Sequence, residues 1–362
     1  MRKTDICIIG AGPAGLAASI EAAKSGAKVI VIDENHLAGG QLFKQIHKFF
    51  GSKSHQAGTR GIKIGENLLN EAKYLGVEFF LRTVAYGIFN NNIIGINKID
   101  DKKIGLVQAK KIILATGATE NAITFPGWTL PGVMGAGAAQ TLMHIHRLKP
   151  GNRVLMVGSG NVGLIVTYQL LQAGVKVVGL VEASDHISGY IVHARKIQRA
   201  GVPICLSTTV KEAIGTNCVE KAVTVSLNSN FLQIKGTEET ICIATGLSPL
   251  AELAWMAGCK FMQVNDLSGL IPIHDENMQT TKEDIYVAGD IAGIEEASSA
   301  MEEGRIAGIA VAEALGYIQK EKAKLLKGEY IKRIDELREG PFGLKRRNAK
   351  ELLIKEGQQN VK

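Results

Sequence analysis

Short apolar runs alternate with glycine-punctuated, alanine-rich stretches along the first third of this chain. Residues 5–9 (DICII) read as a strand that runs into Gly10-Ala11-Gly12-Pro13-Ala14-Gly15 and then into an alanine-rich helix closed by Gly26. Residues 28–32 (KVIVI) are a second, fully buried type of strand, ending at Asp33 and Glu34. Apolar positions at helical spacing over 62–75, stopped by Gly76, predict an amphipathic helix, and 77–89 read as paired strands with a turn at 90–92. Residues 111–115 (KIILA) form another buried strand ending in Ala115-Thr116-Gly117, and the signature returns as 241–244 (ICIA) before Thr245-Gly246. These two endings are expected to be the places where the chain crosses between domains. The first precedes a proline- and glycine-rich stretch, 125–134, with the punctuation of a crossover.

The opening pattern then repeats. Residues 153–157 (RVLMV) lead into Gly158-Ser159-Gly160-Asn161-Val162-Gly163, a helix to about 172, Gly174, a strand over 175–181, and Glu182. In such a unit the first glycine allows a tight turn, the second lets backbone approach a pyrophosphate, and the third lets helix and strand pack closely. Pro13 suits a first helical turn, where its missing N–H has no intrahelical partner anyway. Free amides and the positive end of the helix dipole favour a diphosphate there. Asp33 lies eighteen residues after Gly15 and Glu182 nineteen after Gly163, each placed to accept both ribose hydroxyls of an adenosine. Two complete dinucleotide-binding units are far more specific than one GxGxxG.

Other residues fill in the first site. Gly39-Gly40-Gln41 reads either as a turn or as bare backbone running along a cofactor. Residues 284–288 (DIYVA) are a strand ended by Gly289-Asp290, and 297–316 a helix rich in small residues. Asp290 is either a helix cap or the holder of a ribityl hydroxyl. Residues 47–60 are expected to form a long surface loop facing a partner or substrate.

Composition narrows the classes. The 362 residues, 46% hydrophobic with 41 glycines, suit a two-domain α/β protein. The start of the sequence leaves no room for a leader, and no apolar stretch is long enough for a membrane span, so a cytoplasmic location is expected. Cys7, Cys205, Cys218, Cys242 and Cys259 form no CxxC and read as small buried hydrophobes. His144 and His146, on a helix expected over 135–147, point apart and form no metal pair. Asp185 and His186 read as solvated loop residues, with contact to a second nucleotide as the alternative. No metal site is expected, and catalytic residues are not assigned. The net charge is +7, and 319–362 alone carries thirteen Lys or Arg against seven Asp or Glu. That basic tail is either a solvated face or a dock for an acidic partner, with Lys345-Arg346-Arg347 following a turn at 340–343. No nucleic-acid motif accompanies the charge.

Taken in order, GAGPAG, Asp33, GGQ, ATG, GSGNVG, a second ATG-like ending and AGD resemble the two-dinucleotide-binding-domain flavoproteins, thioredoxin reductase among them. The stretches FPGWTLPGVM and AGDIAGIEEASSAMEEGRIAG are similar to a narrower group: the FAD-binding A or alpha subunits of opine, D-hydroxyproline and dye-linked L-proline dehydrogenases, the B subunit of hydrogen cyanide synthase and, more distantly, sarcosine oxidase alpha. The resemblance implies an α/β, tandem Rossmann-like fold, with an FAD-binding domain in two segments (1–120 and 266–318), an inserted nucleotide domain (121–265) and a basic C-terminal tail (319–362). It implies FAD on Gly10, Gly12, Gly15, Asp33, Gly40, Gln41, Gly289 and Asp290, and NAD(H) or an adenine nucleotide on Gly158, Gly160, Gly163 and Glu182. The narrower group also implies a hetero-oligomer with an amine-oxidase-like flavoprotein subunit and a small iron-sulfur protein, the cysteine-rich cluster domain of its longer members not being present in these residues; the CxxC of thioredoxin reductase is missing as well. The expected function is an electron-transfer subunit of an amino-acid or amine dehydrogenase. A free-standing NAD(P)H oxidoreductase and a non-redox FAD/ATP-binding scaffold are the alternatives.

Overall fold

In the computed structural model, which describes residues 1–100, 102–229, 232–235 and 239–361, the chain divides into two units: Met1–Thr119 with Ser248–Lys362, and Glu120–Leu247. The first unit opens with β1 (Arg2–Ile9), α1 (Pro13–Lys24) and β2 (Val29–Ile32), followed by α2 (Gly61–Tyr74), β3 (Glu78–Phe80), β4 (Thr83–Phe89), β5 (Ile93–Lys98) and β6 (Lys103–Leu114). The chain leaves it through β7 (Ala118–Glu120).

The second unit holds β8 (Val133–Gly135), α3 (Ala136–His144), β9 (Arg153–Val157), α4 (Asn161–Gln172), β10 (Lys176–Val181), α5 (Ile191–Arg199) and β11 (Ile204–Cys205). Strands β12 (Thr208–Ile214), β13 (Lys221–Ser226), β14 (Leu232–Lys235) and β15 (Thr240–Ile243) complete it. Its parallel sheet has the order β11-β10-β9-β15-β8, with β12-β13-β14 as a separate antiparallel sheet. The chain returns through β16 (Leu247–Pro249) to α6 (Glu252–Met256), β17 (Phe261–Val264), β18 (Gly269–Pro272), β19 (Ile285–Val287) and three helices, α7 (Ala297–Ala314), α8 (Lys320–Leu337) and α9 (Gly340–Asn360).

In the first unit β3, β2, β1 and β6 are parallel neighbours, and the twelve-residue β6 is shared. Its last residues pair in parallel with β19, while its first half pairs antiparallel with β5, which carries β4. Residues 6–9 of β1 and all of β2 are buried on both faces, which is why they read as continuous apolar runs. Small residues bring α7 onto α1: a Cβ on Gly304 would lie 2.1 Å from the Ala14 carbonyl oxygen, and one on Gly308 2.4 Å from that of Ala18.

Two expectations need correcting. The inserted unit ends at Leu247 rather than 265, because α6 and the β17–β18 hairpin belong to the first unit. The basic tail is not a solvated face throughout: Ala323, Tyr330 and Ile334 of α8 are buried in the main core, and Ala349 and Leu353 of α9 form a small core with Leu267 and Ile271. Its GPFG stretch begins α9 instead of making a turn. The 47–60 segment is a surface loop as expected, anchored at two points. Lys48 and Arg60 form an isolated antiparallel backbone bridge, and the buried His55 donates from Nε2 to the Arg333 carbonyl at 3.0 Å.

Candidate functional site

The turn between β1 and α1 is built as the glycine spacing requires. The Gly10 amide donates to the Ile32 carbonyl at 2.8 Å, and a Cβ on Gly15 would collide with the Gly10 carbonyl at 1.9 Å. Gly12 differs. It caps α1 with φ −74°, a backbone any residue adopts, and a Cβ there would meet nothing within 4 Å. Neither backbone strain nor the protein's own packing calls for glycine at this position, and the open helix start leaves room for a ligand to approach.

Two further loops close on the same place. The Gly39 amide donates to the Ala11 carbonyl at 2.7 Å, and a Cβ on Gly40 would lie 2.8 Å from the Gly12 Cα. A Cβ on Gly289 would lie 2.8 Å from the Ala14 Cβ. Segments about 275 residues apart thus meet over the first turn of α1, and the Ala288 amide donates to the Leu114 carbonyl at the end of β6. Ala115 lies against Gly10. The Thr116 hydroxyl donates to the Leu250 carbonyl at 2.5 Å, and the Gly117 carbonyl accepts the Leu250 amide, so both serve the chain's return. Pro13 opens the helix, while Glu34 and Gln41 are exposed at the rim.

Asp33 is buried. Its Oδ2 accepts the Ala11 amide at 2.6 Å, and its Oδ1 accepts the Asn35 amide and Nδ2 at 2.8 and 2.9 Å. A carboxylate has about four acceptor sites. Three are filled, one of them by the side-chain amide of the exposed Asn35.

The second unit repeats the arrangement. Gly160 caps α4 at φ −62° with nothing within 4 Å of a built Cβ, while one on Gly163 would lie 2.2 Å from the Gly158 carbonyl. Glu182 is buried; its Oε2 accepts the Ser159 amide at 2.7 Å and hydroxyl at 2.6 Å, and its Oε1 accepts the Ser184 amide at 2.9 Å. Burial alone would raise its carboxyl, but the Ser159 hydroxyl and the Ser184 and Ser159 amides hold it below its ordinary value. Asn161 Oδ1 accepts the Tyr190 amide at 2.8 Å, and Val162 is exposed. Asp185 and His186 are exposed and pair with each other at 2.7 Å.

Asp290 is half-buried beside the first site, and its carboxyl is pushed up to about 6. Burial is the main cause; Glu303 and Glu295 add to it, and the Glu295 amide and Lys350 act against it. Behind it lies a network that motif reading missed, made of Glu295, Glu303, Arg338 and Lys350. Nothing in the local sequence distinguishes Lys350 from the other twelve cations of the basic tail.

The cysteine expectation holds for Cys7 and Cys242, whose thiols burial pushes up to about 12, and for the buried Cys259, but Cys218 is exposed and Cys205 only half-buried. Among the described residues no cluster suited to a metal occurs, and no helix is long and apolar enough to cross a membrane.

Residues 4–304 match the pyridine nucleotide-disulphide oxidoreductase family. The chain belongs to that family. Gly12, Asp33, Gly40 and Asp290 have the placement and chemistry to fit a dinucleotide at the first site. The opine oxidase A subunit of Agrobacterium tumefaciens (strain Ach5) is 28% identical over 84% of this chain, which spans 65% of that protein's length. The HcnB subunit of hydrogen cyanide synthase from Pseudomonas aeruginosa is 27% identical over 90% of this chain and 76% of its own. The L-proline dehydrogenase structure from P. horikoshii shares the fold, with a TM-score of 0.72 at 23% identity over 91% of this chain and 59% of that one.

Proposed function

We propose that this oxidoreductase is the electron-transfer flavoprotein subunit of an amino-acid or amine dehydrogenase complex, located in the cytoplasm. The observation that carries the reading is the convergence of the Gly12, Gly40 and Gly289–Asp290 loops around a helix start whose central glycine the protein's own packing does not require. In this reading Gly12 and the α1 amides bind the pyrophosphate of FAD, Asp33 takes one ribose hydroxyl, and Asp290 takes a ribityl hydroxyl. Bound FAD supplies the electron chemistry, and these residues bind and orient it. The Gly160 cradle and Glu182 offer the same chemistry to NAD(H), with NADP(H) and ATP as the competing ligands.

The complex is inferred from the relatives, which are themselves named as single subunits of opine oxidase and hydrogen cyanide synthase. An amine-oxidase-like flavoprotein subunit and a small iron-sulfur protein are the partners we assign. In the glycine loops and the Gly289–Asp290 turn there is no cation to clamp a substrate carboxylate, which favours oxidation of the amino acid on another chain.

Anaerobic mixing of the FAD-loaded protein with NADH tests the second site. Bleaching of the flavin band supports hydride transfer, whereas ADP binding without bleaching supports a non-redox scaffold. Turnover of proline, sarcosine or an opine by this chain alone overturns the partner model and leaves a free-standing enzyme.

A further inference from the structure

Among the described residues only two Lys or Arg side chains are buried, Arg338 and Lys350. A desolvated ammonium persists only where its protons find strong acceptors. The Lys350 Nζ donates to Glu303 Oε1 and to the Ala292 carbonyl, each at 2.7 Å. Glu303 uses its other oxygen, Oε2, to accept the Gly289 amide at 3.1 Å. Glu303 Oε1 also receives Arg338 at 3.2 Å, and Arg338 Nε in turn donates to Glu295 at 3.0 Å.

The geometry has a definite sense. The Glu303–Lys350 pair holds the first amide and the last carbonyl of the Gly289–Ala292 loop, and Asp290 lies between them. The Ala292 amide donates to the Gly289 carbonyl at 2.7 Å and Gly289 has φ +78°, so the loop is a closed, tight turn. A side chain that arrives from α9, far along the chain, therefore reaches under the loop that presents Asp290.

We infer that Lys350 is a positioning residue for FAD: with Glu303 it clamps the Gly289–Ala292 loop in the conformation that presents Asp290, which makes helix α9 part of the cofactor site. This inference rests on the reading of that loop as flavin-binding.

The test compares FAD titrations of apoprotein for four chains: unaltered, Asp290→Ala, Lys350→Met and Leu353→Ala. Leu353 is fully buried on the same helix but belongs to the small core with Leu267 and Ile271. Lys350→Met is expected to raise the Kd at least about tenfold and to alter the visible circular dichroism of the bound flavin at saturation. Leu353→Ala is expected to lower the melting temperature while leaving Kd within about twofold and the flavin spectrum unchanged. Asp290→Ala with unaltered affinity removes the reading of the loop itself. Weakened binding in Asp290→Ala with unaltered binding in Lys350→Met overturns the clamp alone. So does a Kd rise in Leu353→Ala that tracks its loss of stability. Should Lys350→Met not fold, Glu303→Gln carries the test: it keeps the packing but loses the carboxylate that joins Lys350 to Gly289, and unaltered FAD affinity and spectrum overturn the clamp.

Discussion

The Ala11 amide donates to Asp33 Oδ2 at 2.6 Å, so the acid at the end of β2 supports the glycine turn before it meets any ligand. Asp33→Ala therefore has two separable effects. It strands the buried Ala11 amide, costing the apoprotein about 1–3 kcal/mol, and removes a ribose acceptor whose charge-assisted bond is worth about 1.5–3 kcal/mol. Thermal melts without FAD read the first loss, and a FAD titration reads the second. An apoprotein melt identical to the unaltered chain would contradict the structural role.

Glu182 stands to the Ser159 amide as Asp33 does to that of Ala11. With three acceptor sites filled by Ser159 and Ser184, its remaining capacity suits a single 2′-hydroxyl, and its charge repels a 2′-phosphate. NADH is expected to reduce the flavin at least about tenfold faster than NADPH at equal subsaturating concentration. Stopped-flow absorbance checks this, and equal rates would count against Glu182 as the selector. Its carboxyl is held below the ordinary value, so the stability it contributes is present above about pH 4.5 and fades as pH falls through the lowered value.

Both nucleotide units were legible in the sequence because their backbones impose glycine at fixed offsets and acids at strand ends. Even the pairing of Gly289 with Ala14, remote in the chain, is signalled by an AGD stretch after a buried strand. The return from the inserted unit was not legible. Residues 248–264 carry no glycine fingerprint, and only the packing of α6 and the β17–β18 hairpin assigns them to the first unit. Lys350 and Arg338 were illegible for another reason: burial of an ion pair between residues 47 apart leaves no periodic trace, and a tail counted only by its charge looks solvated.

Asp290 supplies a pH signature. Folding raises its carboxyl to about 6, mainly by burial, with Glu303 and Glu295 adding and Lys350 and the Glu295 amide opposing. A raised acid binds its proton more tightly in the folded state, so the apoprotein loses this contribution as pH rises from the ordinary value of 3.8 through about 6. Asp290→Asn removes that cost. The variant apoprotein is expected to melt higher than the unaltered one at pH 7.5 but not at pH 4, while binding FAD about tenfold more weakly. Melting curves at the two pH values decide it, and an equal shift at both would refute the titration of Asp290 as the cause.

Gly357 tests the docking of α9, because two effects oppose there. Alanine raises helix propensity by about 1 kcal/mol over glycine. A Cβ at this position, however, would lie 2.1 Å from the His274 carbonyl oxygen, a backbone atom with little room to yield. Overpacking of this kind costs about 1–3 kcal/mol, so Gly357→Ala is expected to destabilise the protein in denaturant unfolding. A stabilised variant would mean that the last turns of α9 do not pack as described.

The cations at 345–347 are the best candidates for a dock, and their surroundings rank them. Lys345 is exposed, whereas Arg347 pairs with Glu351 at 3.0 Å on its own helix and Arg346 lies 3.9 Å from Glu296. Partly neutralised charges attract a distant acidic surface less, so Lys345 is expected to contribute most to encounter with a partner protein. Surface charge of this kind acts on association rate and salt sensitivity. Its range is about 8–10 Å at physiological salt. Lys345→Glu should slow association several-fold at low ionic strength and by less than about twofold at high salt, with FAD content unchanged because Lys350 faces inward further along the same helix. Surface plasmon resonance against the partner dehydrogenase, run across a salt series, measures this. An association rate that ignores both charge and salt would remove the tail from the docking surface.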